Sequence, residues 1–151
     1  MRPVKPKAPA DRATRQHITG IVSAMLASRE GVLLGYLHGS YAEGKPFRDL
    51  DVAVYVSESA LSDSPLSYEL ELESQLESRL RSGGISAPLD LRVLNRAPLS
   101  FRYEVIKSGI VVYVRDDDLR VDFEVSTISR YFDFAPLRRE QLREVLGRGS
   151  Q

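Results

Sequence analysis

Runs of apolar residues alternate with mixed polar stretches along the chain, and each run has the length of one secondary-structure element. Two aliphatic runs, Val32–His38 and Leu50–Val56, predict neighbouring β-strands. Residues 88–94 and Ile110–Val114 predict a third and a fourth strand. Strands that alternate with amphipathic helices predict an α/β or α+β fold, in which a small mixed sheet is layered with helices.

Apolar positions spaced three and four residues apart predict helices between these strands. Ile18, Val22 and Met25 form one stripe within residues 11–29, a segment that Asp11 would cap and Gly31 would end. Further helices are predicted over residues 67–80, 100–108, 117–132 and 137–146, with one helical turn over 41–44 and a loop over 57–66.

The predicted helix over residues 67–80 has an apolar side and an acidic side. Its leucines are expected to be buried: Leu70, Leu72, Leu76 and Leu80. Its glutamates are expected to face water: Glu69, Glu71, Glu73 and Glu77.

Composition narrows the classes of function. The 151 residues suit one ordinary domain, which we place at 11–148 behind a flexible tail over 1–10. The formal net charge of zero predicts no general attraction to DNA or to a membrane surface. The absence of cysteine and the count of two histidines argue against thiolate or histidine zinc sites. A cytoplasmic location is the expectation, because no apolar run approaches the roughly 20 residues of a membrane span.

Polar residues that could bind a phosphate group or a metal ion lie where the first two predicted strands are joined. Gly39 leaves room for a bulky anion, and Ser40 offers a hydroxyl and an amide at the start of a helical turn, where phosphate is favoured. Asp49 and Asp51 are two residues apart on a predicted strand, so both should point the same way. Because two carboxylates repel each other, a divalent cation such as Mg²⁺ between them would stabilise the pair.

A third carboxylate, Asp90, lies within the third predicted strand. If that strand lies beside the second, Asp90 can join Asp49 and Asp51 around one cation and accept a proton from an incoming hydroxyl. The alternative is that Asp90 only pairs with Arg92. Arg48 is likewise an alternative partner for Asp49 or Asp51, and His38 fits a neutral, hydrogen-bonded residue at the end of a strand better than a phosphate ligand.

Taken together, these motifs resemble the nucleotidyltransferases of the polymerase-β-like superfamily, in particular its minimal, MNT-type members. The match consists of Gly39-Ser40, eight further residues, Asp49-Leu50-Asp51 and a later Asp90 on its own strand. Three further segments resemble MntA-type antitoxins, and with them the resemblance runs from about residue 12 to 146: Asn95-Arg96-Ala97-Pro98, residues 102–113 and residues 127–134.

The resemblance implies a fold, an activity and a partner. It implies a polymerase-β-like nucleotidyltransferase fold in which Gly39 and Ser40 hold the triphosphate of ATP. Asp49 and Asp51 would bind both nucleotide and Mg²⁺, and Asp90 would complete the metal-binding and catalytic triad. MntA-type antitoxins transfer AMP to a tyrosine of a HEPN-domain ribonuclease toxin of the HepT type and so block it. A hetero-oligomer with such a toxin is therefore expected.

The sequence departs from the family pattern in the loop between the two motifs. Eight residues separate Gly39-Ser40 from Asp49, whereas ten are usual in the family. Glu43 stands where relatives often carry arginine, and Arg48 stands where serine is frequent. Two alternative functions therefore stay open: a catalytically weak or inactive relative that neutralises the toxin by binding it directly, and a transferase that acts on a small molecule.

Overall fold

The computed structural model describes residues 10–61 and 64–133, in which helices and strands alternate as the sequence predicts. The elements in chain order are α1 (Arg12–Ala27), β1 (Val32–His38), α2 (Gly39–Ala42), β2 (Leu50–Val56), a 3₁₀ helix (Glu58–Leu61), α3 (Pro65–Ser82), β3 (Leu89–Val93), α4 (Leu99–Ser108), β4 (Ile110–Val114) and α5 (Asp117–Asp133).

The four strands form one mixed sheet in the order β3-β2-β1-β4. Strand β1 pairs antiparallel with β2 and with β4, whereas β2 and β3 run parallel. The parallel pair is possible because α3 carries the chain from the end of β2 back to the start of β3. The predicted mixed sheet flanked by helices is therefore confirmed.

Each face of the sheet is covered by two helices. Ile18 and Val22 of α1 and Leu76 of α3 share one buried cluster with Val52 and other residues of the sheet. The opposite face holds a second cluster, to which α4 contributes Val105, α5 contributes Phe123 and the sheet contributes Leu34, Tyr36 and Ala53. Because side chains alternate along a strand, odd and even positions of β2 supply the two different clusters.

Local signals place most element ends correctly and misplace a few. Asp11 caps α1 by accepting the backbone N–H of Thr14 at 2.7 Å, as predicted. Gly31 does not end that helix, which stops at Ala27 with Ser28 as its cap. Gly31 is instead a packing position, where a β-carbon would lie 2.9 Å from Cβ of Ala60. The helical turn expected at residues 41–44 lies two residues earlier, at Gly39–Ala42.

Helix α3 begins earlier than predicted and uses its acidic residues differently. Pro65 starts the helix, since its missing N–H is not needed at the first position, and Ser64 caps it. Leu72, Leu76 and Leu80 are buried as predicted, but Leu70 is 57% exposed, so that prediction is wrong. The 3₁₀ helix likewise lies within a segment predicted to be a loop.

Two of the glutamates predicted to face water instead contact strand β3. The backbone N–H groups of Leu91 and Val93 point away from β2 and donate to the carboxylates of Glu73 and Glu69, at 3.1 and 3.0 Å. An edge strand leaves such groups unpaired unless another element covers them. Helix α3 therefore protects the outer edge of β3 with its side chains.

Asn95 joins the ends of β2 and β3. Its side-chain oxygen accepts the N–H of Val56 at 3.0 Å, and its side-chain nitrogen donates to the carbonyl of Val56 at 2.7 Å. The amide group thus imitates the peptide of a neighbouring strand and extends the pairing beyond Val93.

Several predictions lie outside the described residues: the tail at 1–9, the helix at 137–146 and position 134 of the motif at 127–134. Within residues 10–61 and 64–133, none of the helices is both long and apolar enough to cross a membrane.

Candidate active site

Three strands bring His38, Asp51 and Asp90 into one row across the sheet. His38 is paired with Asp51 in the antiparallel β1–β2 ladder, and Asp51 is paired with Asp90 in the parallel β2–β3 ladder. Residues directly opposite each other on adjacent strands project from the same face. The sheet therefore brings together the two carboxylates that the sequence could connect only conditionally.

Asp49 reaches this row from outside the strand. Strand β2 begins at Leu50, so Asp49 is exposed in the preceding bend, while Asp51 is partly buried inside the strand. The expectation that both aspartates lie on one strand is therefore wrong. The charge of Asp49 nevertheless acts on Asp51, as the pKa of that residue shows.

The carboxyl group of Asp51 is strongly perturbed. Partial burial, followed by the negative charges of Asp90 and Asp49, raises its pKa to about 6, while Arg92 opposes them. An acid that shares its surroundings with two other carboxylates gains when a cation neutralises the group. Asp49 and Asp90 are thus close enough for their charges to act on Asp51.

Gly39 forms the floor beside Asp51. Its φ of +72° lies in the left-handed region, and a β-carbon at this position would collide with Oδ2 of Asp51. Both the backbone conformation and the close approach therefore require glycine here. Ser40 follows as an exposed residue of α2, and its carbonyl accepts the N–H of Lys45 at 3.0 Å.

The loop between Gly39 and Asp49 is anchored by Tyr41. This side chain is buried, packs edge-to-face on Phe47 with ring centres 5.0 Å apart, and lies under the guanidinium of Arg15 at 4.4 Å. Arg15 also donates to the carbonyl of Tyr41 at 2.9 Å. Helix α1 thereby fixes the loop that joins the two predicted motifs.

The cations of this loop are arranged differently from the sequence-based alternatives. Lys45 pairs with Glu43 at 3.1 Å. In the part of the chain that the structure describes, no ion pair joins Arg48 to Asp49 or Asp51. The alternative that Arg48 explains the paired acids is therefore not supported.

Asp90 is held by the next residue on its own side of the strand. Its Oδ1 lies 3.5 Å from Nε of Arg92, which is the contact that the sequence left open as an alternative. Across residues 10–61 and 64–133, no three histidine or acidic side chains are close enough to form a ready-made metal cage. The charges of Asp49 and Asp90 both act on Asp51, while Asp90 itself is paired with Arg92.

His38 lies at the end of the row that Phe101 of α4 contacts. Its ring packs edge-to-face on Phe101 of α4, with centroids 5.5 Å apart, and its Nε2 is buried without a hydrogen-bond partner among the described residues. Burial lowers the pKa of His38, with Asp90 opposing that effect, and this direction favours the neutral ring. The hydrogen bond that the sequence led us to expect is not formed by Nε2.

The donor set fits a hard divalent cation. Three carboxylates supply the oxygen ligands that Mg²⁺ prefers, and the repulsion that raises the pKa of Asp51 is what a dication would relieve. The glycine floor keeps the space beside Asp51 free of side-chain atoms from position 39. Asp49, Asp51 and Asp90 are the residues that could hold the ion.

Sequence reasoning missed the residues that hold β3 in place, namely Glu69, Glu73 and Asn95. The glutamates precede the buried Leu72 and Leu76 by three positions, so they border the apolar stripe of α3. That spacing was the available signal. The contact of Asn95 with Val56 spans 39 residues and leaves no local pattern.

Comparison with protein families supports a nucleotidyltransferase. The family model described as "Polymerase beta, Nucleotidyltransferase" matches residues 22–118, which is well over half of the chain and the segment in which the five predicted site residues lie. No curated protein matches the sequence at a significant level.

Solved structures with a similar fold come from toxin–antitoxin complexes. A chain of a toxin–antitoxin complex with AMP-PNP is 26% identical, with a TM-score of 0.62 over 85% of this chain and 98% of that one. A chain of a variant MntA–HpeT complex is also 26% identical, with a TM-score of 0.60 over 82% and 93%. A chain of a tri-AMPylated Shewanella oneidensis HEPN toxin in complex with MNT antitoxin is 24% identical, with a TM-score of 0.58 over 87% and 98%, and shows a shared fold.

Proposed function

The chain belongs to the polymerase β nucleotidyltransferase family, and we propose that it is an antitoxin that uses ATP and Mg²⁺ to adenylylate a partner toxin. The acceptor is a tyrosine hydroxyl of a HEPN-domain toxin of the HepT type, with which the chain forms a hetero-oligomer. The reaction takes place in the cytoplasm.

One observation carries this proposal, namely the pairing of Asp51 with Asp90 across β2 and β3 beside Gly39. A lone acidic pair near a glycine would fit a loop of no particular function. Two carboxylates paired across adjacent strands, one of them with its pKa raised to about 6 by burial and by the charges of Asp90 and Asp49, fit a site built to hold positive charge.

The residues of this chain have distinct roles in the proposed reaction. Gly39 and Ser40 bind the triphosphate, and Asp49, Asp51 and Asp90 would hold Mg²⁺. When bound, the ion neutralises the phosphate charge and orients the α-phosphate for in-line attack. Asp90 accepts the proton as the tyrosine oxygen forms its bond to the α-phosphorus. The bond from that phosphorus to the bridging oxygen breaks, and pyrophosphate leaves.

The structural relatives support the proposed nucleotide and the proposed partner. One relative was solved with AMP-PNP, an analogue of ATP, and another complex contains a toxin that carries AMP. These complexes support nucleotide use and a toxin partner for the present chain. The acceptor tyrosine is placed on the partner, as the family resemblance implies.

Protection of cells tests the proposal. Wild-type protein co-expressed with a HEPN toxin should restore growth, whereas Asp51→Asn should still co-purify with the toxin and fail to restore growth. Asp122→Asn, on the exposed side of α5, is the matched control and should protect like wild type. Loss of complex formation by Asp51→Asn would show that this residue acts in assembly rather than in transfer.

A second candidate function is neutralisation by binding alone. Two contacts favour it, because Asp90 is paired with Arg92, and Glu43 at the usual arginine position pairs with Lys45. In that case Asp51→Asn and wild type would protect cells equally, and the toxin recovered from protected cells would carry no AMP.

A further inference from the structure

Arg92 is placed to act on the acidic row, and the proposed function leaves it without a role. It follows Asp90 by two positions on β3, so both side chains project from the same face. Its Nε lies 3.5 Å from Oδ1 of Asp90, and its guanidinium lies 6.0 Å from the ring centre of Phe101. The side chains of Arg92 and Asp90 are 59% and 49% exposed, so either can move without unpacking the core.

The charge of Arg92 acts on Asp51 and His38 in addition to its contact with Asp90. It lowers the pKa of Asp51, against the effect of the neighbouring acids, and it also lowers the pKa of His38. Lys45 pairs with Glu43 at 3.1 Å and Arg96 with Glu58 at 2.8 Å, and among the described residues Arg48 forms no ion pair with Asp49, Asp51 or Asp90. Arg92 therefore acts as the counter-ion of the site in this structure.

We propose that Arg92 is an exchangeable counter-ion, which holds Asp90 while the site lacks a metal and turns to the nucleotide phosphates once a divalent cation occupies the site. This inference rests on the proposed function. An exposed ion pair is weak, so a dication can displace the guanidinium from Asp90. The released guanidinium is repelled by the ion and attracted by the phosphates, for which arginine has matching geometry.

An exchangeable counter-ion predicts effects of opposite sign on two ligands. Removing the charge of Arg92 frees Asp90 and makes the cluster more negative, so the divalent cation should bind more tightly when no nucleotide is present. The same change removes a phosphate contact, so the nucleotide should bind more weakly. A residue that merely supports the fold would weaken both.

The experiment titrates purified protein with Mn²⁺ alone and then with AMP-PNP in saturating Mn²⁺, with calorimetry as the readout. Arg92→Gln should bind Mn²⁺ about two- to fivefold more tightly than wild type, which matches the strength of an exposed ion pair. It should bind AMP-PNP about tenfold more weakly, the effect of losing one charge-assisted contact. Arg92→Lys keeps the charge and should stay within about twofold of wild type for Mn²⁺.

Arg81→Gln is the control, because it removes an equal charge from the exposed Glu77–Arg81 pair on α3. It should change neither affinity. The inference is overturned if Arg92→Gln leaves Mn²⁺ affinity unchanged or lowers it, or if AMP-PNP binds as in wild type. Wild-type protein that binds no Mn²⁺ would instead overturn the proposed metal site, and the inference with it.

Discussion

The backbone of Gly39 approaches the carboxylate of Asp51 so closely that a β-carbon at position 39 would overlap Oδ2. Gly39, which follows β1, and Asp51, the second residue of β2, are thus fitted to each other. Any side chain at position 39 must displace Asp51 from the row that it forms with Asp90.

Gly39→Ala should therefore be more damaging than strain at one glycine explains. Gly44→Ala is the matched control, because Gly44 has a similar φ of +74° but has no other atoms within 4 Å of its β-position. Gly44→Ala should cost about 1 kcal/mol of unfolding free energy from backbone strain alone. Gly39→Ala should cost at least about 1 kcal/mol more, because the collision adds overpacking. If the two variants lose equal unfolding free energy in urea titrations, the prediction is wrong, because Asp51 then moves away from the new β-carbon at no cost.

Asp51 should make the protein less stable as the pH rises from its pKa in the unfolded chain to its pKa in the folded protein. Its pKa is raised from 3.8 to about 6 on folding, so the folded state favours the protonated acid. Below pH 3.8 the group carries no penalty, and above about 6 the full penalty is present. One pKa unit is about 1.4 kcal/mol, and partial exposure screens part of the shift, so we expect a penalty of about 1–2 kcal/mol.

Asp51→Asn should accordingly abolish AMP transfer and yet unfold at higher urea concentration than wild type at pH 7.5. The difference between the two proteins should shrink as the pH falls toward 4. A variant that is less stable than wild type at pH 7.5 would contradict the assigned direction of the pKa shift.

Glu69 and Glu73 should stabilise the strand that carries Asp90. Glu73→Ala leaves the N–H of Leu91 without its acceptor, which should cost about 1–3 kcal/mol and accelerate hydrogen exchange at that amide. Glu73→Gln keeps an acceptor oxygen and should recover most of the loss. Glu77→Ala breaks only an exposed pair with Arg81 and should cost no more than about 0.5 kcal/mol. Similar losses of stability for Glu73→Ala and Glu77→Ala would contradict this prediction. They would mean that Glu73 contributes no more than a solvent-facing residue, as predicted from the sequence.

Asn95 should fasten the ends of β2 and β3 together. Asn95→Ala removes both bonds to the backbone of Val56 and should cost about 1–3 kcal/mol in chemical unfolding. Arg96→Ala, which disrupts the exposed pair with Glu58, should cost about 0–1 kcal/mol. If Arg96→Ala lowers the unfolding free energy more than Asn95→Ala does, the segment 95–98 is held by the Arg96–Glu58 ion pair instead.

Local sequence patterns predicted β1, β2 and β4 at their observed bounds, because aliphatic runs flanked by glycine or polar residues are unambiguous. They also singled out five candidate residues, Gly39, Ser40, Asp49, Asp51 and Asp90, of which the structure pairs Asp51 with Asp90 on adjacent strands. Whether these residues bind nucleotide and metal stays a prediction.

Local sequence patterns could not predict features that depend on contacts between distant segments of the chain. The row of His38, Asp51 and Asp90 depends on two strand registers, and a shift of one residue would turn any of them to the other face. The pairing of Arg92 with Asp90 was one of two alternatives, because strand spacing places both on one face without deciding the contact. The edge contacts of Glu69 and Glu73 depend on where α3 lies against β3.

Transfer of AMP to a purified HEPN toxin tests the central claim most directly, with intact-mass spectrometry as the readout. Wild-type protein with ATP and Mg²⁺ should add AMP to a tyrosine of the toxin, and Asp51→Asn and Asp90→Asn should each reduce the rate by at least about a hundredfold, as expected when a ligand or base of the reaction is lost. Asp122→Asn should react like wild type. A wild-type protein that adds no AMP, or an Asp51→Asn variant that adds it at the wild-type rate, would contradict the proposal that this acidic row is a catalytic centre.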